Sequence, residues 1–596
     1  MLPGRILDIE QKDEISLAVF IKKEKDKYVV MDHKGKIGPI NPGKVLCESD
    51  LQLSEKLEAE RVVPLLKEYM VEIEKRQQHI DLALLWESLE PSETYDFDSL
   101  VGLYFSPADL ADHFQKSAFI RALQEDTIYF QKKKGSYIPK AENLMKERLT
   151  QVRKEEAEEM QVAKGIEEIN RALHLNQTMT SPGPDILPLL ERLKTLAIHG
   201  DAAPQYSKTL PHLRKIHVKA DPLPRLMALE CLVRLGIWSE DQHIELIKYN
   251  TPIEFKPKLL QITSQIAAFP DQPDMTDRLD LTAHLTVTID DEDTLDMDDA
   301  LSMEAVDSGY ILGIHIIDVS HFIKRNEPLD HEAAHRSTTI YLPEMIIPMF
   351  PEQLSLDILS LRENTVRPCL SFLIHLNHNM DIAKTEIVRS VIKIDHKLSY
   401  NQVDRMFETS GAATPRLFAM LSSIKSITDR FRELRRKQGA LFLRQKELKM
   451  KVDKTGEIFL ASVDNNSLSR KIVAESMIFA NYQAARFCFE HDIPAIYRIQ
   501  APPKELPFNQ DREVVDPLGH FQVVSTLNRT ETSASPALHF CLGVEYYTQV
   551  TSPMRRYQDL IIERQINGYL ERQASPYSEE ELKQISHATE EALANA

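Results

Sequence analysis

Thr288-Ile289-Asp290-Asp291-Glu292-Asp293-Thr294-Leu295-Asp296-Met297-Asp298-Asp299-Ala300 is the stretch on which the reading of this chain turns. It crowds seven carboxylates into thirteen residues. Left unpaired, such charges repel one another and destabilise any compact site they share. A divalent cation removes that penalty, because carboxylate oxygens are what a hard ion such as Mg²⁺ or Mn²⁺ takes as ligands. Apolar runs flank the segment: Leu285-Thr286-Val287-Thr288-Ile289 before it, Tyr310-Ile311-Leu312-Gly313-Ile314-His315-Ile316-Ile317 after it. The pattern predicts a charged loop fixed between buried strands. A calcium loop of the EF-hand type is a poor fit, since neither the glycine at its sixth position nor the closing glutamate is in place.

The surrounding chain is long and ordinary in composition. Its 596 residues allow three or four domains. Cys47, Cys231, Cys369, Cys488 and Cys541 are scattered with no CxxC pair, which excludes a zinc ribbon or a disulfide framework and suits a reducing compartment. A net charge of −19 argues against a broad positive surface for duplex nucleic acid, though not against a basic channel inside an acidic protein. No signal-peptide core opens the chain, and no apolar run approaches the roughly 20 residues of a membrane span. The expectation is a cytoplasmic monomer with no membrane contact.

The expected fold class is α+β multidomain. Residues 1–50 carry short β-like runs punctuated by glycine and proline, as in a small β-barrel. Residues 51–140 read as a helical, winged helix-turn-helix-like region, whose hairpin tip is Lys132-Lys133-Lys134-Gly135-Ser136. That tip is either a nucleic-acid contact or a solvated turn. Residues 141–277 read as a helical connector region; the charged run Lys154-Glu155-Glu156-Ala157-Glu158-Glu159 is expected to be solvated, and the rest suggests no function. Residues 278–570 are mixed α/β and hold the distinctive motifs, and residues 571–596 form a C-terminal helix.

Those motifs run in a fixed order. After the aspartates come His315-Ile316-Ile317-Asp318-Val319-Ser320, Tyr341-Leu342-Pro343, Ser360-Leu361-Arg362, Arg367-Pro368, Gly439-Ala440-Leu441, Ile472-Val473-Ala474-Glu475-Ser476-Met477 and Thr551-Ser552-Pro553-Met554-Arg555-Arg556-Tyr557. Together they resemble the catalytic (RNB) domain of the ribonuclease II/R family. The helical unit before it is similar to the winged-helix region of some bacterial ribonuclease II relatives. The resemblance implies an Mg²⁺-dependent 3′–5′ exoribonuclease acting on single-stranded RNA, with Mn²⁺ as a substitute ion. It implies that Asp290, Asp296, Asp298 and Asp299 hold the metal, with Asp298 the most critical for turnover. Phosphodiester hydrolysis needs an acidified water and relief of developing charge, which such an ion supplies. Asp291, Glu292 and Asp293 match no required position and are read as solvated loop charges.

Arg555 matches the family's arginine near the scissile phosphate; the alternative is an arginine at a helix terminus. Arg556 and Asp559 are phosphate contacts or structural partners. Tyr341 matches the 3′-terminal stacking tyrosine, or else is a core residue. Tyr400 matches a tyrosine that helps read the ribose. Three departures stand out. The second stacking aromatic falls at Leu443, with Phe442 one residue earlier, and on a strand one residue reverses the face. The partner glutamate of Tyr400 falls at Ala474, which cannot accept a hydrogen bond from a 2′-hydroxyl. The sequence given ends at Ala596, where the resemblance would continue into a C-terminal S1 (OB) barrel; the expectation is that this barrel is absent and that the N-terminal modules anchor RNA. These departures motivate a rival expectation, a catalytically weak or inactive RNA-binding protein on the same scaffold. His315, His321, His331 and His335 match no zinc spacing, and at least three of them are read as core or surface histidines.

Overall fold

The aspartate run lies at one end of a seven-stranded sheet. The computed structural model describes residues 2–595 apart from 12–13, 54–57, 92, 134, 180, 220, 269–276, 410–413, 444–445, 453–456 and 506–516. It separates into two compact units, residues 1–242 and 243–596. Lys134 of the expected basic tip and Ala596 lie outside the described residues.

In the second unit the sheet strands are β1 (Leu279–Asp280), β2 (Thr286–Asp290), β3 (Asp299–Val306), β4 (Gly309–Ile317), β5 (Val366–Leu376), β6 (Ile382–Lys393) and β7 (His396–Ser399), in the order β7-β2-β3-β4-β5-β6-β1. β2 to β6 pair antiparallel where they adjoin, and β7 runs parallel to β2. The central strand β4 is apolar on both faces, with Ile314, Ile316 and Ile317 buried. A two-residue turn at Asp307-Ser308 joins β3 to β4, and Gly309 closes it at φ +134°, where any Cβ would strike the Leu376 carbonyl. Gly313 leaves the space in which His315 Nε2 meets Ser302 Oγ at 2.9 Å.

Helices cover the sheet. α1 (Tyr400–Glu408) starts directly after β7 through a reciprocal capping box between Ser399 and Gln402. α2 (Pro415–Lys437) opens with Thr414 as N-cap and proline in its first turn. It packs on α3 (Leu468–Glu490), and both reach the sheet at β3 and β4. Between them a hairpin projects, β8 (Lys446–Val452) with β9 (Ile458–Asp464). α4 (Tyr557–Leu570) is buried almost throughout, and α5 (Glu579–Asn595) ends the described chain.

The first unit begins with a five-stranded antiparallel sheet over Arg5–Gln11, Glu14–Glu24, Lys27–Asp32, Ile37–Ile40 and Val45–Gln52. Both faces are apolar. Ile6, Leu17, Val19 and Met31 pack on the helix Ala59–Gln77, while Leu7, Ile9, Ala18, Phe20 and Val30 form a second small core, which is the barrel-like element expected there. Next come helices Phe97–Tyr104 and Gln115–Glu125 and the hairpin Phe130–Lys133/Ser136–Pro139, with Tyr95 bridging Tyr137 as a third short strand. Helix, helix and wing share the core of Leu100, Phe119, Ile120 and Leu123.

One expectation needs correction. Helix Glu142–His174 is not solely a solvated connector. Its charge-dense first half is exposed, but Val162, Ile166, Ile169 and Leu173 recur at three- and four-residue spacing and are buried against Leu189, Leu190 and Leu193 of the next helix. Local charge density masked that stripe.

Candidate active site

Strand register brings the aspartates together. Leu301 of β3 faces Val287 of β2, which sets Asp299, the first residue of β3, at the same end of the sheet as Asp290, the last of β2. The loop between them is pinned from below by Ser360, whose buried hydroxyl donates to the Leu295 carbonyl at 2.7 Å and accepts from the Met297 N–H at 3.1 Å. Nothing in the local pattern Ser360-Leu361-Arg362 announces this role, because both partners of Ser360 lie more than sixty residues earlier in the chain. β7 adds the neighbour: Ser399 is level with Asp290, so Tyr400 follows immediately beside it.

Asp298 is buried. Its Oδ1 accepts the Met554 N–H at 3.1 Å and its Oδ2 lies 3.3 Å from Arg555 Nε. Burial pushes its pKa up to about 7 even against the pull of Arg555. Asp299 is pushed to about 8, first by desolvation and then by the charges of Asp290 and Asp298. Asp290 is also raised, again chiefly by desolvation, although it accepts the Asp291 N–H at 2.9 Å and the Thr294 hydroxyl at 3.2 Å. Asp296 Oδ2 accepts the phenol of Tyr341 at 3.2 Å, and the Tyr341 side chain is half exposed. Burial leads all three shifts, the charges of Asp290 and Asp298 add to that of Asp299, and Arg555 opposes each; carboxylate oxygens are the donors that a hard divalent cation takes. Among the described residues no group of three or more His, Cys, Asp or Glu side chains is placed to hold a metal ion.

The two arginines after Met554 differ in surroundings. Arg555 is held by its backbone, whose carbonyl accepts from Thr338 Oγ1 at 2.9 Å and from the Thr339 N–H at 3.1 Å. Burial opposes its charge, but Asp298 and the other acids outweigh that and keep its pKa above the ordinary arginine value. Its side chain remains about half exposed (47%), open to a ligand. Arg556 Nη2 is bound to the fully buried Asp559 at 2.6 Å, and Asp559 also accepts the Ser552 N–H at 2.9 Å.

Tyr400 carries a guanidinium that sequence reasoning missed. Arg470 of α3 stacks over its ring at 4.0 Å and ion-pairs with Asp291. Lys449 of β8 reaches the same carboxylate at 3.7 Å. Asp291, read from sequence as a solvated charge, is therefore a partner of two cations delivered by distant elements, which no local pattern reports. Ala474, one turn beyond Arg470, is exposed, whereas Glu475 is buried and paired with Arg435 at 2.6 Å and Arg432 at 3.1 Å. Phe442 lies under Arg432 at 3.9 Å, so its ring is already occupied on one face. His315 is fully buried between Ser302 and Ser371, a structural histidine as expected.

Comparison with known proteins follows the same architecture. Residues 278–572 match the family described as RNB domain, and residues 145–244 match a double HTH domain. An uncharacterized ribonuclease of Synechocystis is 30% identical over 597 residues, covering 99% of this chain and 86% of that protein. The chain belongs to the RNB-domain ribonuclease family. Ribonuclease R of Mycoplasmopsis pulmonis is 31% identical over 288 residues, 43% of this chain but only 40% of the relative's length. Among solved structures, Mycoplasma genitalium RNase R in complex with ribose-methylated single-stranded RNA aligns with a TM-score of 0.53 at 23% identity, covering 59% of this chain and 61% of that one. An active-site mutant of the Dss1 exoribonuclease of Candida glabrata aligns with a TM-score of 0.60 at 16% identity, covering 100% of this chain and 85% of the other. At such identities the likeness establishes the RNB fold. The double HTH match falls on the helices 142–234, to which sequence reading assigned no function.

Proposed function

We propose that this RNB-family ribonuclease hydrolyses single-stranded RNA from its 3′ end, with Mg²⁺, releasing nucleoside 5′-monophosphates. The observation that supports it is the juxtaposition of Arg555 with Asp298 beside Asp290 and Asp299, at the end of one sheet. A degenerate scaffold has no use for carboxylates kept buried side by side at the cost of their desolvation. Asp290, Asp296, Asp298 and Asp299 would hold the ion directly or through water. The bound ion supplies an acidified water and relief of the charge on the phosphate.

The remaining chemistry belongs to the chain. Arg555, fixed by Thr338 and Thr339, presents a guanidinium to the scissile phosphate and strengthens its contact as negative charge develops. Arg556 holds the Thr551–Tyr557 turn through Asp559 and so aims Arg555. Tyr341 stacks the 3′-terminal base on a ring whose hydroxyl is tied to Asp296, a sequence-tolerant contact suited to any base. Tyr400 lines the sugar side. The N-terminal sheet, the winged unit and the helices 142–234 serve as RNA anchors.

The test is a 5′-labelled single-stranded oligoribonucleotide incubated with purified protein and Mg²⁺. A ladder shortening from the 3′ end is expected. Intact substrate at high enzyme concentration, with Mn²⁺ failing too, favours the inactive-scaffold reading.

A further inference from the structure

Two cations meet on one carboxylate next to Asp290. Asp291 follows Asp290 on the same turn, and its N–H bonds to Asp290 Oδ1. Arg470 and Lys449 come from α3 and from the hairpin, and both converge on the Asp291 carboxylate. Arg470 also lies over the Tyr400 ring, 4.0 Å from its centroid, so its guanidinium is held from two sides. The Asp291 and Lys449 side chains are more than a third exposed and Arg470 a fifth. This is a partly exposed arrangement in which two cations share one carboxylate, set immediately beside an acidic floor.

Surface ion pairs contribute little to stability. A planar guanidinium held by stacking, with a lysine beside it, matches the geometry of a phosphate better than it serves as a strut. Phe459 adds a second clue. It lies two residues from Ala461, which is directly opposite Lys449, so Phe459 stands on the hairpin face from which Lys449 reaches the rim. It is half exposed, as a base-contacting ring would be.

We propose that Arg470 and Lys449 form a subsite for a backbone phosphate of the RNA, one that Asp291 occupies as an internal anion until RNA arrives. The proposal rests on the exoribonuclease reading of the same site. Asp291 then acts as a competitor: it preorders the two cations and weakens binding of any strand that cannot displace it.

The test uses the full chain carrying Asp298→Asn, so that RNA survives, with a fluorescent single-stranded oligoribonucleotide in Mg²⁺ buffer. Arg470→Gln and Lys449→Gln each lower affinity roughly five- to tenfold. Each also flattens the slope of log K against log salt by about 0.7, the signature of one lost phosphate contact. Asp291→Asn moves the other way and tightens binding. Oligonucleotides with one neutral methylphosphonate at successive linkages then locate the contact. The unsubstituted rim loses affinity at one linkage, and the Arg470→Gln rim is indifferent to it. If Asp291→Asn weakens binding, or if both cation variants bind within twofold with unchanged salt slope, the subsite is overturned while the nuclease reading stands. If the Asp298→Asn protein binds no RNA at all, both fall. Lys449 lies on a solvent-exposed hairpin, so Lys449→Gln keeps the test valid should Arg470→Gln fold poorly.

Discussion

Metal uptake at the aspartate floor should expel protons, and their number follows from the burial of two carboxyls. In the metal-free protein Asp298 is pushed to about 7 and Asp299 to about 8. At pH 7 these two sites together hold roughly one to one and a half protons, titrating as a coupled pair and not as independent groups. An ion needs them ionised, so binding Mg²⁺ at pH 7 releases that number; near pH 9 release falls to a small fraction of a proton. Calorimetric titration in buffers of different ionisation enthalpy reads it directly as the slope of observed heat against buffer enthalpy. The stability sign follows. The folded sites keep protons that the unfolded chain loses near pH 4, so metal-free protein loses stability as pH rises from about 4 to 8, and Mg²⁺ restores it. Magnesium binding at pH 7 with no proton release refutes the electrostatic description of this floor.

Three further expectations concern parts that hold the site. Ser360→Ala leaves the Leu295 carbonyl and the Met297 N–H buried without their partner, which costs about 2–4 kcal/mol in urea unfolding and lowers turnover by misplacing Asp296 and Asp298; a change below about 0.5 kcal/mol contradicts that role. Burial holds His315 neutral, at about 3, so the unfolded state alone takes up a proton below about 6.5, and stability falls as pH drops from there toward 3, by up to ~1.4 kcal/mol per pH unit. His315→Gln should flatten that acid slope in unfolding experiments. Glu563, buried with one oxygen unpartnered, has its pKa raised well above the usual value by desolvation, so Glu563→Gln should leave stability unchanged or higher at pH 8, and a marked loss in thermal melts would mean the carboxylate is ionised in the fold.

The acidic run and its flanking strands were legible because alternation of charge and apolar residues is local. The same holds for residues 97–139, where two helices and a hairpin follow one another in sequence. What could not be read depends on distant pairing. Arg470 and Lys449 meet Asp291 only after α3 and the hairpin fold back, across separations of 179 residues in the first case. Ser360 shows the intermediate situation: its motif was visible, but its task of holding Leu295 and Met297 follows from strand order. The buried half of helix 142–174 was hidden by a charged first half, and the function of the helices after it had no local chemistry to reveal it.

The most direct measurement compares the unsubstituted protein with Asp298→Asn on one labelled single-stranded oligoribonucleotide, scoring cleavage and binding together in Mg²⁺. The expected result is 3′-shortened products from the first, none from the second, and comparable RNA binding by both. Cleavage that survives Asp298→Asn, or an unsubstituted protein that binds RNA and leaves it intact, contradicts a metal-dependent nuclease centred on these aspartates.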